Sequence, residues 1–316
     1  MLRNETVMGN ILLLGGAGFI GSNLIKCLQP TAWHIFVAEP EGAPVNRLAG
    51  MRLTLERCSI KDTDTIEKII RHNKIDVVVH LVSMLIPGSS YEDYKKELTE
   101  VVLPSIELMQ ICARHDVKFV FFSSGGTIYG NKTDMTPFVE GDAPRPISYY
   151  GWSKQIMENS IHFMHRTKGM RYLILRPSNP YGHGQSLYGQ QGLVAVAIGR
   201  ILKGEPIEVW GDGSAVRDYI YIEDLADIFR QLLDKDVTNT TLNIGSGRGY
   251  SVNEVLALLK TVSQTDVSIC YKGARPVDVS YIVLDLSELK KHINIVFTPF
   301  QEGIRRFYEE SRNTML

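Results

Sequence analysis

The chain lacks the features that would tie it to a membrane or a polyanion. Across 316 residues no apolar run approaches the roughly 18 residues of a membrane span. Its 34 Lys and Arg balance 35 Asp and Glu, a formal net charge of −1, so nucleic acid is not an expected partner. There are only four cysteines. Cys27, Cys58, Cys112 and Cys270 are too scattered for a metal cluster and read as reduced thiols, which predicts a cytoplasmic protein. Repeats and low-complexity segments are absent. Residues 11–20 are apolar but broken by glycine. They run straight into a helical pattern with no small-residue cleavage site, so no signal peptide is expected.

What is present begins with glycine. Asn10-Ile11-Leu12-Leu13-Leu14 reads as a strand and is followed by Gly15-Gly16-Ala17-Gly18-Phe19-Ile20-Gly21, then by a helical pattern. Gly15 allows a tight turn, Gly18 lets backbone approach a pyrophosphate, and Gly21 lets the helix pack close to the strand. The helix N-terminus offers N–H groups and the positive end of a dipole to phosphate. The spacing is Gly-x-x-Gly-x-x-Gly, a departure from the usual dinucleotide fingerprint. A second strand, His34–Ala38, ends at Glu39. A carboxylate there accepts hydrogen bonds from a ribose diol and repels a 2′-phosphate, favouring NAD over NADP.

The second signal is Tyr150 with Lys154, at the predicted start of a helix. Four residues apart, they share a helical face. A tyrosine is a poor base at its ordinary pKa of about 10. An ammonium one turn away favours the phenolate and so creates a base able to take a proton from an alcohol.

Strand and helix patterns alternate regularly. Strands are expected at 10–14, 34–38, 51–57, 75–80, 117–123 and 171–176. This predicts an α/β fold with a doubly wound parallel sheet of Rossmann type, whose ligand crevice lies outside the carboxyl ends of the strands. Gly15, Glu39, Leu81, Ser124 and Arg176 fall at such ends. After residue 178 the pattern changes. Short strands near 207–209 and 217–221 and helices near 251–262 and 299–312 predict a smaller C-terminal substrate-binding lobe. The expected division is 1–178 plus about 219–250 for the cofactor domain, and about 179–218 plus 251–316 for the lobe.

These blocks, with Val77–Leu81, Phe121–Gly130, Arg176–Gly182 and Trp210–Ile220, resemble the extended short-chain dehydrogenase/reductase family. Within it, the chain is similar to the NAD-dependent nucleotide-sugar epimerases and dehydratases. The resemblance implies tightly bound NAD and a UDP-sugar substrate oxidised transiently at C4, with Tyr150 as base and Lys154 steadying the phenolate. It implies a hydroxyl residue completing the set. The usual position is Gly125 here, so the role falls to Ser124, with Thr127 as the alternative. The implied cofactor contacts extend to Phe19, Ile20, Ser59, Ile60, Leu81, Val82, Ser83, Ser123 and Pro177. The implied substrate contacts are Asn179, Val209, Arg217, Arg275 and Asp278 beside Ser124 and Tyr150.

The 4,6-dehydratases of this family carry an Asp-Glu pair after the catalytic threonine. Gly125-Gly126-Thr127 supplies neither. An epimerase is therefore expected ahead of a dehydratase, with a nucleotide-sugar reductase or dehydrogenase, or a non-catalytic NAD-binding protein, as alternatives. Ile282 falls where relatives vary near the sugar. His162 and His165, three apart, read as a helix face, and no metal is assigned. The amphipathic helices 92–114 and 150–168 imply a homodimer by the same resemblance.

Overall fold

The computed structural model describes residues 9–132, 134–189, 191–274 and 279–315. Its centre is β1 (Gly9–Leu14), in which Ile11 to Leu14 are all buried. A run buried on both faces has no alternation, the pattern of a central parallel strand. In chain order there follow α1 (Phe19–Leu28), β2 (Trp33–Glu39), β3 (Thr54–Arg57), α2 (Thr63–His72), β4 (Val77–His80) and α3 (Tyr91–Glu97). A five-residue π-type turn (Leu98–Val102) joins α3 to α4 (Leu103–Arg114). Then come β5 (Lys118–Phe122), α5 (Tyr149–Lys168) and β6 (Tyr172–Pro177). After β7 (Asn179–Tyr181), α6 (Leu193–Lys203), β8 (Ile207–Trp210), β9 (Val216–Tyr221) and α7 (Ile222–Asp234), β10 (Thr240–Ile244) completes a seven-stranded sheet.

The order is β10-β6-β5-β4-β1-β2-β3, and β1 to β6 pair in parallel. The sheet reverses its winding between β1 and β4, the place where such folds open a ligand crevice. On one face Leu12, Leu14, Val78 and Ile174 pack with Ile66 of α2, Leu108 of α4 and Ile161 of α5. On the other, Leu13 and Val37 close on Ile25 of α1 around Gly16. Burying each such aliphatic side chain contributes about 1.5–3 kcal/mol.

The chain is organised as two compact units. One comprises Met1–Ser123, Ser148–Leu175 and Phe229–Leu242; the other comprises Ser124–Ile147, Arg176–Ile228 and Asn243–Leu316. Three stretches differ from the expected division: 124–147 groups with the second unit, of about 219–250 only Phe229–Leu242 groups with the first, and 176–178 also fall in the second. The physical reason for the grouping of 124–147 is a strap. Phe138 N–H donates to Val283 O and Phe138 O accepts from Asp285 N–H, each at 2.8 Å.

The second unit has its own core, including Tyr181, Ile198, Val209, Tyr219, Leu259 and Phe307. It contains β11 (Gly249–Ser251), α8 (Val252–Ser263), β12 (Ile269–Lys272), β13 (Tyr281–Ile282), α9 (Ser287–His292) and α10 (Phe300–Met315). A small sheet of β11-β9-β13, with β7 also on β9, aligns Asn179 with Tyr219 and Arg217 with Tyr250 and Ile282.

Candidate active site

The glycine turn forms as its spacing requires. Gly15 takes φ +79, a left-handed value that a side chain resists. A Cβ on Gly21 would lie 2.6 Å from Gly16 backbone, so only glycine lets α1 sit this close to the turn. Gly18 opens α1 with no capping side chain, leaving the first-turn N–H groups of Phe19 and Ile20 directed out of the helix end. Glu39, at the end of β2, is 7% exposed, and its Oε1 accepts from Ala17 N–H at 2.6 Å. Burial raises its pKa, opposed by that N–H and by the Arg57 charge. The cradle fits a dinucleotide: an uncapped helix end, a turn with glycine at 15, 16 and 18, and a carboxylate beside it.

Ser123, at the end of β5, is buried, and its Oγ has no hydrogen-bond partner among the described residues. Such an atom suits a ligand contact. Leu81, Val82 and Ser83 follow β4 and remain partly exposed, as does Ser59 after β3. Ile60 differs from expectation: its side chain belongs to the sheet-face core, which leaves only its backbone for a cofactor.

Ser148 caps α5, accepting from Gly151 N–H at 3.2 Å, which places Tyr150 and Lys154 in the first turns of a 20-residue helix. Tyr150 is partly exposed, whereas Lys154 is 5% exposed. Lys154 Nζ donates to Phe122 O at 3.0 Å and lies 4.9 Å from the Phe121 ring centre and 5.5 Å from that of Tyr150. Burial pulls the Lys154 pKa down from 10.5 to about 8, and the carboxylates of Glu97 and Glu158 oppose it. The spacing-based pairing is thus realised as a buried ammonium one turn from a phenol.

In the second unit, Thr127 Oγ1 donates to Ser124 Oγ at 2.9 Å, so both candidate hydroxyls belong to one hydrogen-bonded pair. A Cβ on Gly125 would meet Leu284 Cδ1 at 2.6 Å and Arg176 O at 2.8 Å, which explains why no hydroxyl side chain occupies that position. Gly126 is different: its missing Cβ would rest 3.7 Å from Asn179 Oδ1 and 3.9 Å from Ser124 Oγ. Ser124, Gly126 and Asn179 therefore surround one small space. The Asn179 side-chain amide donates to Asp218 O at 2.9 Å, and Arg217 Nη1 donates to Val216 O at 2.9 Å. Pro177 is buried, its carbonyl accepting from Gly125 N–H at 2.8 Å.

Two expectations change. Val209 is 2% exposed within the second unit's core, and strand alternation turns Trp210, 46% exposed, to the open side instead. Ile282 is fully buried, so its side chain is closed to a sugar. Arg275 and Asp278 lie outside the described residues. His162 and His165 stand edge-on to Tyr172, His165 Nδ1 lying 3.0 Å from Met170 O.

Sequence reasoning missed Glu97, which is 2% exposed. Its neighbours Glu92, Asp93, Lys95 and Lys96 give the helix a solvent-facing look, and no motif marks it. It also missed that a Cβ at Gly126 would sit between Asn179 and Ser124 with only ordinary contacts, which a Gly-Gly pair alone does not reveal.

A Rossmann sheet with an uncapped glycine turn and a buried lysine one turn from a tyrosine defines the short-chain dehydrogenase/reductase class. The sequence pattern of the NAD dependent epimerase/dehydratase family matches residues 11–245, and the chain belongs to that family. It is similar to the UDP-glucose 4-epimerase of Thermotoga maritima solved with UDP-glucose. That match has 32% identity and a TM-score of 0.91, covering 97% of this chain and 100% of that one. The Thermus thermophilus UDP-glucose 4-epimerase solved with NAD is similar at 29% identity and a TM-score of 0.89, covering 96% and 99%. A dTDP-4-dehydro-6-deoxyglucose reductase of Escherichia coli is 30% identical over 87% of this chain and 89% of that protein.

Proposed function

We propose that the chain is an NAD-dependent 4-epimerase of a UDP-sugar that retains its cofactor between turnovers. The observation that carries this reading is the buried Lys154 ammonium beside Tyr150. Bound NAD supplies one piece of chemistry, accepting hydride from the sugar C4 and returning it. Tyr150 takes the C4 hydroxyl proton as the 4-keto sugar forms and gives it back on re-reduction. Lys154 holds the phenolate charge, and the Ser124–Thr127 pair steadies the reacting oxygen. Asn179, Arg217 and Arg275 hold the nucleotide diphosphate, with the arginine forks suited to phosphate oxygens, and Asp278 accepts from the nucleotide ribose hydroxyls. The Gly18 helix end and Glu39 hold the cofactor, with Glu39 selecting NAD.

A dehydratase needs an acid and a base at C5 and C6, and 125–127 carry neither. The reductase relative favours one second reading, net reduction of a nucleotide-linked keto sugar. The two are separated by incubating purified protein with UDP-glucose, UDP-N-acetylglucosamine and UDP-glucuronate, with no cofactor added. A 4-epimer as product supports the epimerase. No epimer there, with NADH consumed stoichiometrically in a second incubation given NADH and a nucleotide-linked keto sugar, supports the reductase.

We also propose a homodimer formed through α4 and α5. Leu103 and Phe163 are 56% and 52% exposed on these helices, apolar side chains that a partner's copy of α4 and α5 would cover. Among the described residues no helix is long and apolar enough to cross a membrane. No disulfide joins any of the four cysteines, which supports a cytoplasmic setting.

A further inference from the structure

Glu97 ends α3, immediately before the π-type turn Leu98–Val102. Such turns inside helices are frequent at functional sites. Its carboxylate is buried, and its three hydrogen bonds all run inward. Oε1 accepts from Ser83 Oγ at 3.2 Å and from Ser153 Oγ at 3.4 Å, and Oε2 accepts from Met84 N–H at 2.8 Å. Ser83 and Met84 form the segment that leaves β4 at the cofactor crevice, and Ser153 precedes Lys154 in α5. One carboxylate therefore ties the β4 exit to the helix that carries the Tyr150–Lys154 pair. Every partner is a donor, the set that an anion takes.

We propose that Glu97 is a positioning residue: a buried counter-charge that keeps Lys154 an ammonium and fixes the Ser83–Met84 segment against it. This rests on the reading of Tyr150 and Lys154 as the catalytic pair. A buried carboxylate costs several kcal/mol unless a positive charge compensates it. Four titratable groups bear on Lys154. Glu97 from α3 and Glu158 from α5 favour its charged form. Tyr150 lies one turn before it. His80 from β4 is neutral: its pKa falls to about 3 by burial and by the Lys154 charge. His80 Nε2 lies 2.8 Å from Ser105 Oγ, whose own hydrogen goes to Val101 O at 2.6 Å. Nε2 is then the donor, and the ring contributes no charge. Two carboxylates thus stand against the desolvation of one ammonium, and removing either tips Lys154 toward the neutral amine.

The test is Glu97→Gln, which keeps shape and removes charge. Two measurements on the purified protein follow it: the pH profile of kcat, and the pH titration of the Lys154 Cε resonance in 13C-lysine-labelled protein without added substrate. That resonance is assigned by its loss in Lys154→Met. The expected result is an alkaline limb and a Lys154 titration both moved to lower pH by about one unit, with KM for the sugar nucleotide little changed. Glu97→Asp, which keeps the charge, is expected to restore most of the shift. A Gln variant that folds, yet titrates and turns over with the unchanged profile, overturns the proposal. If the Gln variant fails to fold, the Asp variant decides: a profile displaced as far as in a charge-free Glu97→Ala overturns it too. Tyr150→Phe separates this from the parent reading. Turnover kept in Tyr150→Phe overturns both, whereas turnover lost there with an unmoved Gln profile overturns Glu97 alone.

Discussion

Lys154 donates to the carbonyl oxygen of Phe122, the last residue of β5, at 3.0 Å, so the strand end and α5 are joined through the ammonium itself. Burial holds the lysine near pH 8, below its ordinary 10.5. The ammonium is therefore lost as pH rises through about 8, and turnover is expected to fall above that point. The stability sign is opposite. Between about 8 and 10.5 the unfolded chain binds a proton that the native state does not, so this group makes the fold more stable as pH rises across that window. Lys154→Met is expected to fold, to lose about 10²-fold or more in kcat, and to lose this stability slope. Paired rate and urea-unfolding profiles check it; a slope that survives in the Met variant contradicts the assignment.

Glu39 touches the glycine turn through Ala17 N–H. Shortening it removes both a turn contact and the acceptor for a ribose diol. Glu39→Ala is expected to weaken NAD binding about tenfold or more, equivalent to about 1.4 kcal/mol. Calorimetric titration of cofactor-stripped protein reads it. Because the carboxylate repels a 2′-phosphate, the ratio of NAD to NADP affinity should fall in the same variant. An unchanged ratio would remove Glu39 from cofactor selection.

How much of this was legible in the sequence depended on whether a feature is local. The turn after β1 forces glycine at Gly15 and Gly21 through backbone geometry, so spacing alone located it. Tyr150 and Lys154 lie one turn apart on one helix and need no tertiary information to meet. Glu39 follows from the end of a strand. Val209 failed because it rests on the phase of a four-residue strand, and a one-residue shift exchanges core and open faces. Glu97 was invisible because its burial depends on Ser83 and Ser153, 14 and 56 residues away. The grouping of 124–147 with the second unit depends on Phe138 meeting Val283 and Asp285, a pairing no local pattern encodes.

Gly126 borders the space between Ser124 and Asn179, and a Cβ there makes only ordinary contacts. Gly126→Ala is expected to fold normally. Gly126→Leu fills that space and is expected to raise KM for the sugar nucleotide about tenfold or more while leaving the melting temperature within a few degrees. Gly125→Ala, which drives a Cβ into Leu284 and the Arg176 carbonyl, is expected to cost about 1–3 kcal/mol of stability instead. Kinetics alongside thermal melts distinguish the two glycines, and the reverse pattern would contradict the site.

Leu103 and Phe163 offer an apolar surface on α4 and α5. Light scattering is expected to give twice the chain mass for the wild-type protein. A charge at either position, as in Leu103→Glu or Phe163→Glu, is expected to yield monomers. A monomeric wild type would end the dimer proposal.

Asp218, fully buried in β9, holds three segments of the second unit at once. Its Oδ1 accepts from Ser246 N–H and Ser246 Oγ, each at 2.8 Å, and its Oδ2 accepts from Gly247 N–H at 3.1 Å and Leu284 N–H at 3.3 Å. Burial raises its pKa to about 6 against these donors. The native state thus binds a proton between about 4 and 6 that the unfolded chain has released. The contribution of this group to stability therefore falls as pH rises through that window, until above about 6 the full cost of a buried anion is present. Asp218→Asn removes the charge but turns an NH₂ toward backbone donors. Losing their acceptor costs about 1–3 kcal/mol, more than relief of the charge returns near neutrality. The variant should unfold at lower urea at pH 7 and show a flatter stability profile between pH 4 and 6. Equal stability at pH 7 would mean that the donors find other partners, and that Asp218 is not what joins β9 to residues 246, 247 and 284.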